Sequence, residues 1–196
     1  MSSNNRIVLM PLMTYVVLLP VTAVWVVSTA YLMSIGTPNF EENSFIAKIT
    51  YETHIDYIFW VYLFGFFWIV AFILAVEQFV IGATCCMWYY NRGGDDTESS
   101  GSVSISMALG WSVRYHLGSL AMGSFLIAVI SMIRFVFEYL VKKYESMAGG
   151  DNVLYKAATC CIRCILWCLD SYVKFLNKNA YIQIALQAKN FCPSAW

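Results

Sequence analysis

The residues best suited to chemistry in this 196-residue chain lie in the segment 163–192, RCILWCLDSYVKFLNKNAYIQIALQAKNFC. At about 100° per residue on a helix, several of its polar side chains share one face within roughly 40°. This face, the polar stripe, consists of Arg163, Asp170, Lys174, Asn177 and Tyr181. The stripe has two interpretations: a helix lying on a membrane surface, or a membrane span whose charges face a cavity or one another. Asp170 and Lys174 are four residues apart and can form an ion pair.

A second candidate site centres on Glu77, a carboxylate within a long aromatic, apolar run. On a helical wheel Glu77 shares a face, within about 40°, with Thr84 and Trp88. A lone carboxylate in a membrane helix is either hydrogen-bonded across helices or a counter-charge for a cation. Quaternary ammonium groups are recognised by aromatic faces through cation–π attraction. The sequence therefore predicts a cation site here, with core packing or an interfacial aromatic belt as alternatives for the rings.

The remaining patterns indicate structural roles and not a catalytic or metal site. Arg134, Glu138 and Lys142 step by four along one face, which predicts an ion-pair ladder within their own helix. Cysteines cluster in one apolar segment: Cys160, Cys161, Cys164 and Cys168. Without a nearby histidine, this cluster is typical of packing or acylation and not of a zinc site. Nucleophile-elbow, phosphate-loop, HExxH and GxGxxG motifs are absent from the sequence, which predicts that the protein is not an enzyme and has no metal site.

Composition indicates a membrane protein. Hydrophobic residues make up 60% of the chain and charged residues 12%, with a mean hydropathy of +0.62, whereas soluble domains carry about 25% charged residues. Twelve basic and twelve acidic residues balance, so there is no electrostatic footprint for nucleic acid. The cysteine count of seven is odd, and most cysteines lie in or beside apolar runs, which argues against a secreted disulfide framework.

Helical runs long enough to cross roughly 30 Å of hydrocarbon cover residues 7–35, 57–90 and 115–141, and the polar stripe belongs to a further run over 157–188. The sequence therefore predicts an all-α, polytopic integral membrane protein with about four transmembrane helices in a single membrane domain, residues 1–196. Ser119 and Gly123 are four apart at the start of the third run, a spacing that lets another helix approach closely.

The connecting segments predict an orientation. Residues 36–56 hold Glu41, Glu42 and Glu52 and are expected on the non-cytoplasmic side. Residues 91–114 are rich in glycine and serine and are expected to form a flexible loop. Alternation of the spans puts that loop inside.

Five segments of the chain carry a resemblance to a known family. They are RYHLGSLAMGS, CCIRCILWCLD and KFLNKNAYIQIALQAKNFCPSA, preceded by PLMTYVVLLPVTAVWVVSTAYLMSIGTP and FWIVAFILAVEQFVIGATCCMWYY. The chain resembles the choline transporter-like family of eukaryotic membrane proteins over most of its length. Members have about ten helices, with both termini cytoplasmic, and this chain is similar to the fifth to eighth. The resemblance implies that the polar stripe lies on a crossing helix and that residues 36–56 are extracellular. Glu77 stands where the family often has glycine.

The resemblance also implies a function: transport of choline or a related organic cation across the plasma membrane, without a redox or nucleotide cofactor. We expect the cation to bind in one central cavity lined by Glu77, Thr84, Trp88, Asp170 and Tyr181. Charge balance is expected from Arg163 and Lys174, with Asn177 as a further member of the polar stripe.

The alternative is a truncated, non-transporting structural subunit of a larger membrane complex, because four helices do not by themselves enclose an alternating-access path. Its partners, besides the lipid bilayer, would be other membrane subunits or the missing helices of the same protein. A mitochondrial membrane is the alternative location.

Overall fold

The computed structural model describes residues 9–39, 48–50, 53–91, 105–148, 153–187 and 191–194. Its helices are α1 (Met10–Met33), α2 (Thr53–Asn91), α3 (Ile105–Arg114), α4 (Leu117–Ala148), α5 (Val153–Gln187) and α6 (Phe191–Ser194). Between α1 and α2 two short strands, β1 (Thr37–Asn39) and β2 (Lys48–Thr50), pair antiparallel with Thr37 opposite Thr50.

Within the described ranges, three helices are long and apolar enough to cross a membrane: α1, residues Tyr57–Tyr90 of α2, and residues Leu117–Met147 of α4. Helix α5 is also long, at 35 residues, but it carries the charges of the polar stripe and is more polar than the other three. The prediction of an all-α, multi-pass membrane fold is confirmed, with the two short strands as the exception within the described residues. The environment of these helices is a lipid bilayer.

Helix α2 is the centre of the assembly. It packs against α1, α3, α4 and α5. Its buried Ala71, Ala75 and Ala83 are small enough to let neighbouring helices approach closely. The core lies where α2 to α6 meet and consists of Ala75, Phe79, Val80, Ala83, Ala108, Leu120, Ala180, Tyr181, Ile184 and Phe191.

The expectation of a loop over residues 91–114 is wrong for its last ten residues, which form α3. Ala108 and Ser112, four apart on one face of α3, are buried, and α3 packs against α2 and α4. A ten-residue helix is marginal by itself and depends on tertiary packing of one face. The glycine and serine content of the segment predicted a loop, because the tertiary contacts that stabilise α3 are not visible in the sequence.

Some segments used to orient the chain lie outside the described residues. These are 92–104, the glycine- and serine-rich part of the predicted inside loop, and 40–47 and 51–52, which hold Glu41, Glu42 and Glu52.

Candidate functional site

The polar stripe faces the interior of the helix assembly along part of its length. Asp170, Asn177 and Tyr181 are buried, whereas the side chains of Arg163 and Lys174 are about half exposed. The ion pair predicted within α5 is confirmed, because Lys174 Nζ lies 2.8 Å from Asp170 Oδ2. The 3.6-residue period of the helix was sufficient to identify the interior face of α5.

The Asp170 carboxylate has a second cationic partner on α4. Arg134 Nη1 donates a hydrogen bond to the same Oδ2 at 2.8 Å. The Asp170 side chain is only 8% exposed, and a buried carboxylate is tolerated when opposite charges and hydrogen bonds compensate it. Because two cations already contact this carboxylate, it has little capacity to attract a third.

Arg163 pairs with Glu138 across the same two helices. Its Nε and Nη2 donate to the two carboxylate oxygens of Glu138, each at 2.8 Å, in bidentate geometry. The ladder predicted within α4 is therefore wrong: Arg134 and Glu138 both pair with residues of α5. An i,i+4 pair on one helix is weak, whereas the buried Asp170 requires a counter-charge from its neighbour.

Gly123 allows α4 and α5 to come into close contact. Asn177 Nδ2 donates to the Gly123 carbonyl at 2.7 Å, and a Cβ on this glycine would overlap the Tyr181 hydroxyl. The close helix approach predicted from the small residues Ser119 and Gly123 is confirmed for Gly123. The Tyr181 hydroxyl is itself buried and has no hydrogen-bond partner among the described residues.

Replacing Asn177 by alanine is expected to lower the free energy of unfolding by about 1 to 2 kcal/mol, the upper part of the range for interhelical hydrogen bonds in membranes. The change removes the bond to Gly123 and leaves a gap in a buried position. Unfolding in mild detergent with increasing sodium dodecyl sulfate measures the effect. Asn179→Ala is the matched control, because Asn179 is exposed on the same helix. An equal loss in both variants would contradict the assigned role.

Glu77 lies in a different environment from Asp170. It is half-buried and lines a cavity of about 420 Å³ between α1, α2 and α3, the Glu77 cavity. Glu77 has no hydrogen-bond or ion-pair partner within the described part of the chain. Of the other predicted residues on α2, Thr84 is buried and its hydroxyl donates to the Val80 carbonyl, and Trp88 is 38% exposed near the end of the helix.

The structure does not bring the predicted site residues into one cavity. Tyr181 and Lys174 line a separate cavity of about 210 Å³, together with Lys178 and Gln78. Glu77 and Gln78 are consecutive on α2 yet line different cavities, because successive side chains on a helix point about 100° apart. The cavity lined by Glu77 and the cavity lined by Tyr181 are therefore on different faces of α2.

A third cavity, of about 560 Å³, lies between α1 and α2 and has aromatic walls; we name it the aromatic cavity. The Trp25 ring stacks on Phe66 with centroids 4.4 Å apart and lies nearly parallel to Tyr62 at 6.1 Å. Trp25 Nε1 is buried without a hydrogen-bond partner among the described residues. Sequence reasoning missed Trp25 and Tyr62. The available signal was the depth of Trp25 in its span, beyond the reach of an interfacial aromatic belt.

The aromatic cavity and the Glu77 cavity follow one groove between α1 and α2. The first is lined by residues 20–25 of α1 and 61–69 of α2, and the second by residues 10–17 and 72–80 of the same helices. Phe66 and Glu77 are separated by roughly 16 Å along the helix axis. This α1–α2 groove thus combines aromatic faces with a carboxylate that has no ion-pair partner among the described residues, a combination suited to an organic cation. Within the described residues, no cluster of three or more His, Cys, Asp or Glu side chains could hold a metal ion.

Comparison with known proteins gives consistent matches. The family described as plasma-membrane choline transporter matches residues 1–196. Choline transporter-like protein 2 of Dictyostelium discoideum is 31% identical over 94% of this chain and 28% of its own length. Choline transporter-like protein 2 of Danio rerio is 38% identical over 68% of this chain and 18% of its own length. Choline transporter-like 2 of Anopheles gambiae is 40% identical over 67% of this chain and 16% of its own length. The chain therefore spans between 16% and 28% of the length of these relatives.

Proposed function

This chain belongs to the plasma-membrane choline transporter family, and on that premise we propose that the protein containing it moves choline or a related organic cation across a membrane. The chain spans at most 28% of the relatives compared above, so the proposed transport is an activity of the whole protein. The observation that carries the proposal is the aromatic cavity, with Glu77 further along the same groove.

The aromatic cavity has the size and walls that a small organic cation requires. Its volume of about 560 Å³ falls within the roughly 300 to 1,000 Å³ of small-molecule sites. A cation over a desolvated aromatic face gains about 2 kcal/mol, and three aromatic side chains, Trp25, Tyr62 and Phe66, border this space. Glu77 supplies the negative charge that draws a cation into the groove.

The other predicted site residues take different parts in the proposal. Asp170 is already compensated by Arg134 and Lys174, so we assign it to packing of α4 and α5, together with Arg163 and Asn177. Tyr181 lies in the cavity with two lysines, which disfavours a cation. Roles for Thr84 and Trp88 in binding remain predictions.

We also propose that α5 is a fourth membrane crossing. Contacts from Arg163, Asp170 and Asn177 meet α4 at Glu138, Arg134 and Gly123 in turn. Along these contacts the residue numbers increase on α5 and decrease on α4. The two helices therefore run antiparallel.

These contacts cover about 22 Å of α4, most of a hydrocarbon core of roughly 30 Å. A helix lying flat on the membrane surface would contact a membrane-spanning neighbour over a much shorter distance. With four crossings, the proposed orientation puts residues 36–56 outside and 91–114 inside, and the plasma membrane is the proposed location.

Trp25→Leu and Glu77→Gln are each expected to lower uptake of radiolabelled choline about tenfold at subsaturating concentration, because each removes one attraction of the size of a cation–π contact or more. Trp25→Leu should act mainly by raising KM, since the proposed contact is with the bound cation. The measurement uses the full-length protein in cells without other choline uptake, with surface expression quantified for every variant.

Matched controls come from the same chain. Trp167→Leu changes an exposed tryptophan on α5, and Glu145→Gln an exposed carboxylate on α4; both should leave uptake unchanged. Wild-type kinetics in Trp25→Leu and Glu77→Gln would rule out the α1–α2 groove as the cation site. Absence of uptake in the wild-type protein would refute transport of choline.

A further inference from the structure

The cavity between α2, α4 and α5 has a chemistry opposite to that of the α1–α2 groove; we name it the lysine cavity. Its polar lining comes from Gln78, Lys174, Lys178 and Tyr181, and its remaining wall is apolar: Ala71, Leu74, Ala75 and Ile127. Its volume of about 210 Å³ is below the roughly 300 Å³ at which drug-sized sites begin. It therefore suits one small group and not an extended organic molecule.

The charges at this cavity do not balance within the described residues. Arg134 and Lys174 share the single carboxylate of Asp170. Lys178, one helical turn beyond Lys174, has no ion-pair partner in the described part of the chain. Of these groups only Lys174 and Lys178 line the cavity, so its described lining carries two cations and no carboxylate, and Asp170 beside Lys174 offsets part of that charge.

An uncharged donor points to the same kind of ligand. The Gln78 side chain lines the cavity beside the two lysines, whereas the Tyr181 hydroxyl packs against Gly123 and is buried. Ammonium groups only donate hydrogen bonds, and the Gln78 amide can also donate. The cavity thus offers donors and positive charge together, which is what an oxyanion requires.

We propose that the lysine cavity binds a phosphate group, held by Lys178 and Lys174 with a hydrogen bond from the Gln78 amide. The group is that of free inorganic phosphate or of an acidic lipid headgroup, which present the same chemistry. The site is independent of the proposed cation transport, because it lies on another face of α2 and uses none of the residues of the α1–α2 groove.

The test is phosphate binding to the full-length protein in phosphatidylcholine nanodiscs. Equilibrium dialysis with radiolabelled inorganic phosphate, in a buffer without other strongly bound anions, should show saturable binding of one phosphate per chain. A second arm uses nanodiscs doped with phosphatidic acid and measures lipid retention by native mass spectrometry. Saturable phosphate binding identifies a free anion, and retention of phosphatidic acid alone identifies a headgroup; both support the proposal.

Three variants decide the assignment. Lys178→Met should weaken binding about tenfold or more, as expected for loss of a charge-assisted hydrogen bond, and Gln78→Leu about threefold. Lys143→Met removes an exposed lysine of α4 and should bind like the wild type. Lys178 is exposed, so its variant should fold, and its unfolding midpoint checks this. Absence of saturable binding in both arms, or binding that Lys178→Met leaves intact, would overturn the proposal.

Discussion

Gly123→Val is expected to lower the free energy of unfolding by about 2 to 3 kcal/mol, the upper part of the usual range for overpacking. The first added carbon would overlap the Tyr181 hydroxyl and lie 2.8 Å from the Phe191 ring. Both rings are buried, so neither can move aside without separating α4 from α5 and α6. The added bulk also disturbs the hydrogen bond from Asn177 to the Gly123 carbonyl. Unfolding of the purified protein by sodium dodecyl sulfate measures the effect.

Two further variants test the steric explanation. Gly118→Ala, in the same helix, should be neutral or slightly stabilising, because nothing lies within 4 Å of its added carbon. Gly123→Ala should be destabilised less than Gly123→Val. Adding Tyr181→Phe to Gly123→Ala removes the overlapping hydroxyl and should restore part of the loss. No recovery in the double variant would show that contact with Tyr181 is not the cause.

Asp170→Asn is expected to lower the free energy of unfolding by about 1 to 3 kcal/mol, which is less than the roughly 3 to 5 kcal/mol for one partner of a fully buried pair. The change leaves Arg134 and Lys174 without their shared carboxylate. The reduction from the full value follows from solvent screening, because the Arg134 and Lys174 side chains are 43% and 51% exposed. The same sodium dodecyl sulfate titration measures this loss.

Glu138→Gln is the matched control for Asp170→Asn. It also breaks an ion pair between α4 and α5, but the Glu138 and Arg163 side chains are 42% and 47% exposed, and exposed pairs contribute little. Adding Arg134→Met to Asp170→Asn removes one uncompensated cation and should recover part of the stability. Equal losses in Asp170→Asn and Glu138→Gln would contradict the importance of burying Asp170.

The sequence by itself determined the features that depend on local spacing. The length of the apolar runs predicted the helices α1, α2 and α4, which are long enough to cross a membrane. The helical period predicted that Asp170, Asn177 and Tyr181 share a buried face. Four-residue spacing also predicted the pair between Asp170 and Lys174. These predictions succeed because helix geometry fixes the relation between residues three or four apart, whatever else the chain does.

The tertiary structure alone decided which faces of different helices meet. It paired Arg134 and Glu138 with α5 and not with each other, and it placed Glu77 and Tyr181 in separate cavities. It also brought Trp25 against Phe66, more than 40 residues away in the chain. A helical wheel orders side chains around one axis and contains no information about the neighbouring axis. The division between an acidic, aromatic groove and a basic cavity therefore depends on how α1, α4 and α5 pack around α2.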